Sequence, residues 1–173
     1  MSRAYRVTWV TVASNVSTDD TLTMNLSLLG ILPDEDMATL LREELERRGW
    51  KPGEGGVVTG AVQGLDAVLS PDGSKVTVTA RAEGDVSARG TNRDDAKLAL
   101  ERAEGAARDE LKAGLAKRLT AAEPDLRAMM GEAIQRVYVE ALKRKAASMG
   151  EVESLHETRG SDGEYEVTIK VRT

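Results

Sequence analysis

Few side chains in this sequence belong to the types that do chemistry, so their spacing is judged first. His156 is the only histidine among 173 residues, and there is no cysteine. The lack of thiols excludes disulfides, thiolate nucleophiles and zinc–thiolate centres together. A serine–histidine–aspartate relay would have to pass through His156, yet no serine stands in a Gly-x-Ser-x-Gly elbow between strand and helix, and a surface histidine is the simpler reading. Asp34-Glu35-Asp36 is a carboxylate cluster of the kind that can bind a cation, but just after Pro33 it answers equally to the positive end of a helix dipole. Asp19-Asp20 reads as a solvated turn. A carboxylate-dependent enzyme assembled from such pairs in space stays open as an alternative. Neither Gly53-Glu54-Gly55-Gly56 nor Gly73-Ser74-Lys75 has the spacing of a dinucleotide fingerprint or a phosphate-cradling loop. No catalytic residue, cofactor or metal is expected from these patterns.

Composition narrows the partners. Charged residues make up 31% of the chain and apolar ones 40%, a balance that folds rather than stays disordered. Net charge is −5. Asn92 to Met149 carries 12 basic and 10 acidic residues, so the acidic excess lies in the strand-rich remainder. Lys143-Arg144-Lys145 is the densest basic cluster and reads as the solvated end of a helix. With no phenylalanine, two tryptophans and three tyrosines, the basic patch interleaved with aromatics that nucleic acid requires is missing, so no nucleic-acid partner is expected. The opening residues run straight into a strand-like pattern, and no apolar run reaches spanning length. These features lead us to expect a cytoplasmic protein without membrane insertion.

Positioning falls to a few elements. Leu100, Ala103, Ala107, Leu111, Leu115 and Leu119 recur in steps of three and four with charged residues between them, which predicts an amphipathic helix. Thr91-Asn92 would cap it, with Asp94 and Asp95 in its first turn. Glu123-Pro124-Asp125 reads as the start of a second helix, because proline is tolerated in a first turn. Leu126, Met130, Ile134, Val137, Tyr138 and Ala141, with Met129, Ala133 and Leu142, give that helix a face wider than one partner needs. The expectation is an antiparallel helical hairpin over 92–149, inserted before the C-terminal strand, whose second helix touches another subunit or the sheet. The first helix would be about 42 Å long against about 33 Å for a ten-residue strand, so the hairpin either covers the sheet or projects from it. Gly105, Gly114 and Gly131 suggest a bend or a close helix approach.

Strand signals flank the hairpin. Alternation from Ala4 to Ala13 predicts a first strand; Asn15 to Asp20 reads as a polar turn and Thr21 to Leu29 as its hairpin partner. Pro33 then opens a helix with Met37, Leu40, Leu41 and Leu45 as its buried stripe, Gly49 at its left-handed end and Trp50 packing back. Val57 to Val62 and Leu65 to Leu69 are short strands, Ser70-Pro71-Asp72-Gly73 is a turn, and Lys75 to Glu83 is the clearest strand, with Gly84 to Gly90 as an extension or a linker. Glu151 to Gly163 holds two short extended pieces. Glu164 to Thr173 alternates as a last strand expected to return beside an early one. The fold class is α+β: one domain over 1–173, an antiparallel sheet of about five to six strands, a short helix and the long helical hairpin.

Gly30-Ile31-Leu32-Pro33, Met37, Leu40-Leu41, Glu44-Leu45 and Arg48-Gly49-Trp50, entered from a short β-hairpin, resemble the opening of accessory proteins of bacterial ternary systems encoded beside FtsH-like AAA+ proteases, MoxR-type ATPases and von Willebrand A proteins. The resemblance covers about the first 50 residues. It implies a non-catalytic component of an ATPase-centred assembly acting in stress response or biological conflict. From the residues themselves two functions stay open. One is a binding or assembly protein that meets a protein partner or its own copy through the helices. The other is a small-molecule binder or carboxylate enzyme with a pocket between sheet and helices.

Overall fold

Alternation of inward and outward residues from Val10 onward produces one strand where two were expected. The computed structural model describes residues 8–159 and 165–172; Ala4 to Val7 of the expected first strand and the turn around 160–164 lie outside them. Strand β1 runs unbroken over Val10–Asn25. Asn15 to Asp20 is therefore not a turn. It contains no Gly or Pro, the inward alternation carries through Ser14, Val16, Thr18 and Asp20, and the neighbouring strand supplies partners for its polar groups. Asn15 Nδ2 donates to Asp85 Oδ1 at 3.0 Å, the Thr23 and Thr77 hydroxyls lie 3.3 Å apart, and the Leu26 N–H donates to Ser74 O at 2.7 Å. In all three pairs the residue numbers have the same sum, as an antiparallel register without a bulge requires.

After β1 come α1 (Asp34–Arg47), the short β2 (Lys51–Pro52), β3 (Val58–Val62), β4 (Leu65–Leu69), β5 (Lys75–Gly90), α2 (Arg93–Met149), β6 (Glu151–Arg159) and β7 (Tyr165–Arg172). The first five strands form one sheet in the order β1-β5-β4-β3-β2, and β6 pairs with β7 alone. The fold is α+β as expected, with an antiparallel sheet of five strands and, among the described residues, a second sheet of two. β7 does not return beside an early strand; it pairs antiparallel with β6, which is one strand with a bulge between Val152 and Ser154. A hairpin forms here because the partner next in sequence is the cheapest to bring alongside.

The largest departure concerns the helices. Arg93–Met149 is one helix with Pro124 inside it, and no hairpin turn occurs near Thr120. The reason is phase. Ala96, Leu115, Leu119, Ala122, Leu126, Met130, Ala133, Val137 and Ala141 are all buried, and the steps of three and four pass from Leu119 through Ala122 to Leu126 without a slip. A turn at Thr120–Pro124 would throw the two halves out of step. Pro124 removes one main-chain donor and sits on the exposed side, where water can serve the freed carbonyl. Gly105, Gly114 and Gly131 are exposed, and a Cβ on any of them would meet nothing within 4 Å, so they mark no close helix approach. The start of the helix is capped as expected. Asn92 Oδ1 accepts the Asp95 N–H at 2.8 Å, while Thr91 Oγ1 and Asn92 Nδ2 both donate to Asp95 Oδ2 at 2.7 Å.

By internal contacts the chain divides into two compact units, Met1–Leu22 with Thr79–Ala122, and Thr23–Val78 with Glu123–Thr173. The second holds a dense core. Met37, Leu40, Leu41 and Leu45 of α1, Val58 and Leu69 of the sheet, and Leu126, Met130 and Val137 of α2 are all within 2% of full burial. α1 ends in a Schellman motif: the Trp50 N–H donates to Leu45 O and the Gly49 N–H to Glu46 O, with Gly49 at φ 93°. That turn lays the Trp50 indole over Gly60 of β3, where any Cβ would collide with the ring. In the first unit, β1 and β5 form a ribbon with α2 on one face. Leu111 lies over Gly84, and the backbone at Ala96 presses on Gly90.

Candidate functional site

The chain from Leu26 to Pro33 leaves β1 and crosses toward α1 carrying Leu28, Leu29, Ile31 and Leu32, apolar residues beyond the end of the strand. Tyr138 of α2 decides where this segment goes. Its hydroxyl accepts the Leu29 N–H at 3.1 Å and donates to Ser27 O at 3.4 Å, so one side chain serves both a donor and an acceptor of a backbone that has run out of strand partners. The segment is thereby pinned beside α2. Between them lies an open groove of about 510 Å³, walled by Leu29 and Ile31 on one side, Tyr138, Val139 and Leu142 on another and Val167 of β7 at the far edge, with Gln135 at its rim. The Leu29 side chain is 60% exposed. The volume and lining suit an apolar group or side chain rather than a charged substrate.

Ion pairs fix the elements around the groove. Glu44, nearly buried near the end of α1, takes Arg47 and Arg48 on separate oxygens at 2.9 Å each, and Arg48 reaches on to Glu132 of α2 at 3.2 Å. The Glu44 carboxylate, and beyond it that of Glu132, holds the Arg48 guanidinium above its ordinary pKa against the opposing effect of burial. Arg144 joins Glu43 at 3.4 Å, a second link between α1 and α2. Lys143 pairs with Glu157 of β6 at 3.7 Å. Two members of the basic cluster thus act as internal ties.

Of the face singled out on the helix, Leu126, Met130, Val137 and Ala141 are buried within the chain itself, whereas Ile134 and Tyr138 are half-buried. Of these six only Tyr138 reaches the groove, joined there by Leu142 from the same expected face. The structure thus separates residues that the sequence groups together. Leu29 and Ile31 were not singled out as site residues. The sequence assigns Leu29 to the end of an expected strand and Ile31 to the run before Pro33, whereas β1 ends at Asn25 and leaves both in the connecting segment.

The other candidate groups fall elsewhere. His156 is exposed on β6, opposite Thr168. Asp34, Glu35 and Asp36 occupy the first turn of α1. Asp34 also borders a recess of about 260 Å³ with Asp72. The Asp72 carboxyl is held down to about 2 by the Ser70 hydroxyl first, then by the Ser74 N–H and hydroxyl, all within the turn between β4 and β5. Among the described residues no three His, Asp or Glu side chains converge as cation ligands. No helix among them is long and apolar enough to cross a membrane.

Comparison with known proteins points one way. No curated protein and no solved structure matches the chain. The family model described as FtsH ternary system domain X5 matches it from residue 1 to residue 173, well beyond the opening segment that carried the resemblance, and the chain belongs to that family.

Proposed function

We propose that this protein is a non-catalytic binding and assembly component of a bacterial FtsH-centred ternary system, and that it receives an apolar side chain of another system component in the groove between the Leu29–Ile31 segment and α2. One observation carries this reading. Leu29 is held with 60% of its surface in water while its own N–H is tied to Tyr138, so a large apolar side chain is displayed rather than tucked away. Membership of the family over the full chain supports a role beside an ATPase, in stress response or conflict, and a cytoplasmic setting. A second reading rests on the size of the groove: about 510 Å³ also suits a small apolar ligand.

Titration calorimetry against the purified FtsH-like protease, the MoxR-type ATPase and the von Willebrand A protein of the same system tests the proposal. Binding to one of them, weakened at least tenfold by Leu29→Asp with the fold intact, is the expected result. Binding to none, or equal binding by the variant, refutes the assembly role of the groove.

A further inference from the structure

The outer edge of β1 ends the five-stranded sheet. Among the described residues β1 has one hydrogen-bonded neighbour, β5, and no strand on its other side. The edge is 16 residues long and carries no proline, lysine or bulge; its charged residues are Asp19 and the inward-facing Asp20, both near one end of the central stretch. The Leu26 N–H faces β5, so in an unbroken alternation the even-numbered residues of β1 bond inward. Ala13, Ser17 and Asp19 then present their N–H and C=O groups at the free edge with the Asn15 N–H and the Thr21 C=O, while the Asp20 carboxylate accepts the Thr21 N–H at 2.8 Å and the Ser14 hydroxyl donates to Asn15 O at 3.5 Å. Beneath this edge the apolar layer is incomplete. Val12 and Leu22 of β1, Val86 of β5 and Leu100 and Leu111 of α2 are only half-buried.

We infer that two copies of the chain associate by antiparallel pairing of β1 with β1, about a two-fold axis through Ser17. In that register Val12 faces Leu22, Ser14 faces Asp20 and Val16 faces Thr18 on the inner face, and Asn15 faces Asp19 on the outer face. The two half-buried apolar residues of the edge therefore meet each other, Val16 meets a side chain with a methyl group, and no aspartate meets another. Neighbouring registers fail. A shift of the axis to Val16 sets Val12 against Asp20, a shift to Thr18 sets Val16 against Asp20 and Ser14 against Leu22, and a shift to Asp19 puts the two Asp19 carboxylates face to face. The paired stretch from Ala13 to Thr21 forms about eight main-chain hydrogen bonds, the two Thr21 N–H groups staying with Asp20. The second copy's helix then lies on the same face as the first, closing the half-covered layer. This pairing is independent of the groove, which lies on other elements.

Light scattering through a dilution series should give twice the 18.6 kDa chain mass. Ser17→Cys should form a disulfide-linked dimer on mild oxidation, because opposed Cα atoms in a hydrogen-bonded pair lie about 5.5 Å apart, within disulfide reach. Thr21→Cys should stay uncross-linked, its two thiols being about 27 Å apart along the strands. Ser17 is exposed, so Ser17→Lys should keep the circular dichroism spectrum while halving the mass, as two like charges meet at the axis. A monomer at every concentration, a dimer that Ser17→Cys does not cross-link, or equal cross-linking of both cysteine variants overturns the proposal.

Discussion

The two compact units are made from the same kinds of element, yet one encloses its large apolar side chains more fully than the other. In the second unit α1 and the later half of α2 cover the inward face, and Leu41, Leu45 and Leu69 have no measurable exposure. In the first unit one helix covers a two-stranded ribbon, and Val12, Leu22, Leu100 and Leu111 keep part of their surface in water. Both units alternate equally well in sequence. Burial therefore depends on the number of covering layers, which periodicity does not report.

The comparison can be broken most directly in the dense unit. Leu41→Ala should cost about 3 kcal/mol of unfolding free energy in a denaturant titration, since a fully enclosed side chain leaves a cavity. Pro124→Ala should raise stability by about 2 kcal/mol, because alanine restores a helix donor in the middle of a continuous α2. A loss of stability in that variant would mean that proline is opening a second helix after all. Leu111→Ala in the open unit, made in the monomeric Ser17→Lys background, should cost only about 1 kcal/mol, as half of its transfer energy is already forgone in the isolated chain. A cost equal to that of Leu41→Ala would erase the distinction between the units.

The smallest effect concerns the turn between β4 and β5. The Asp72 carboxyl sits at about 2, below its ordinary value of 3.8. Its stabilising contribution is fully present above the ordinary value and is lost as pH falls through about 2. Asp72→Asn should therefore flatten the decline of the melting temperature between about pH 4 and pH 2, and match the wild type's slope above that window.

Local grammar was legible to a good depth. The buried stripe of α1, its end at Gly49 with Trp50 folded back, the Asn92 cap and the turn at Pro71 to Gly73 all follow from residue types at short spacing, and all are present. The breaks were misread. Asn15 to Asp20 and Thr120 to Pro124 carry turn-forming residues, but each such preference amounts to only about 1–3 kcal/mol. Partners along β5 outweigh the first, and an apolar stripe in phase on both sides outweighs the second. The groove was invisible because its walls come from the Leu29 and Ile31 segment, α2 and β7, with Tyr138 reaching a backbone more than a hundred residues away.

By itself, then, the amino-acid sequence determined which stretches are helical or extended, where α1 and α2 begin, and that thiol chemistry is excluded, because these depend on side chains within a few positions of one another or on composition alone. Tertiary structure alone decided that β1 and α2 run on through their apparent breaks, that Leu126, Met130, Val137 and Ala141 are covered while Leu29 is displayed, and that the outer edge of β1 has no strand beside it among the described residues. Those outcomes turn on which distant surface supplies the missing hydrogen bonds and the covering layer, and no local spacing encodes that supply.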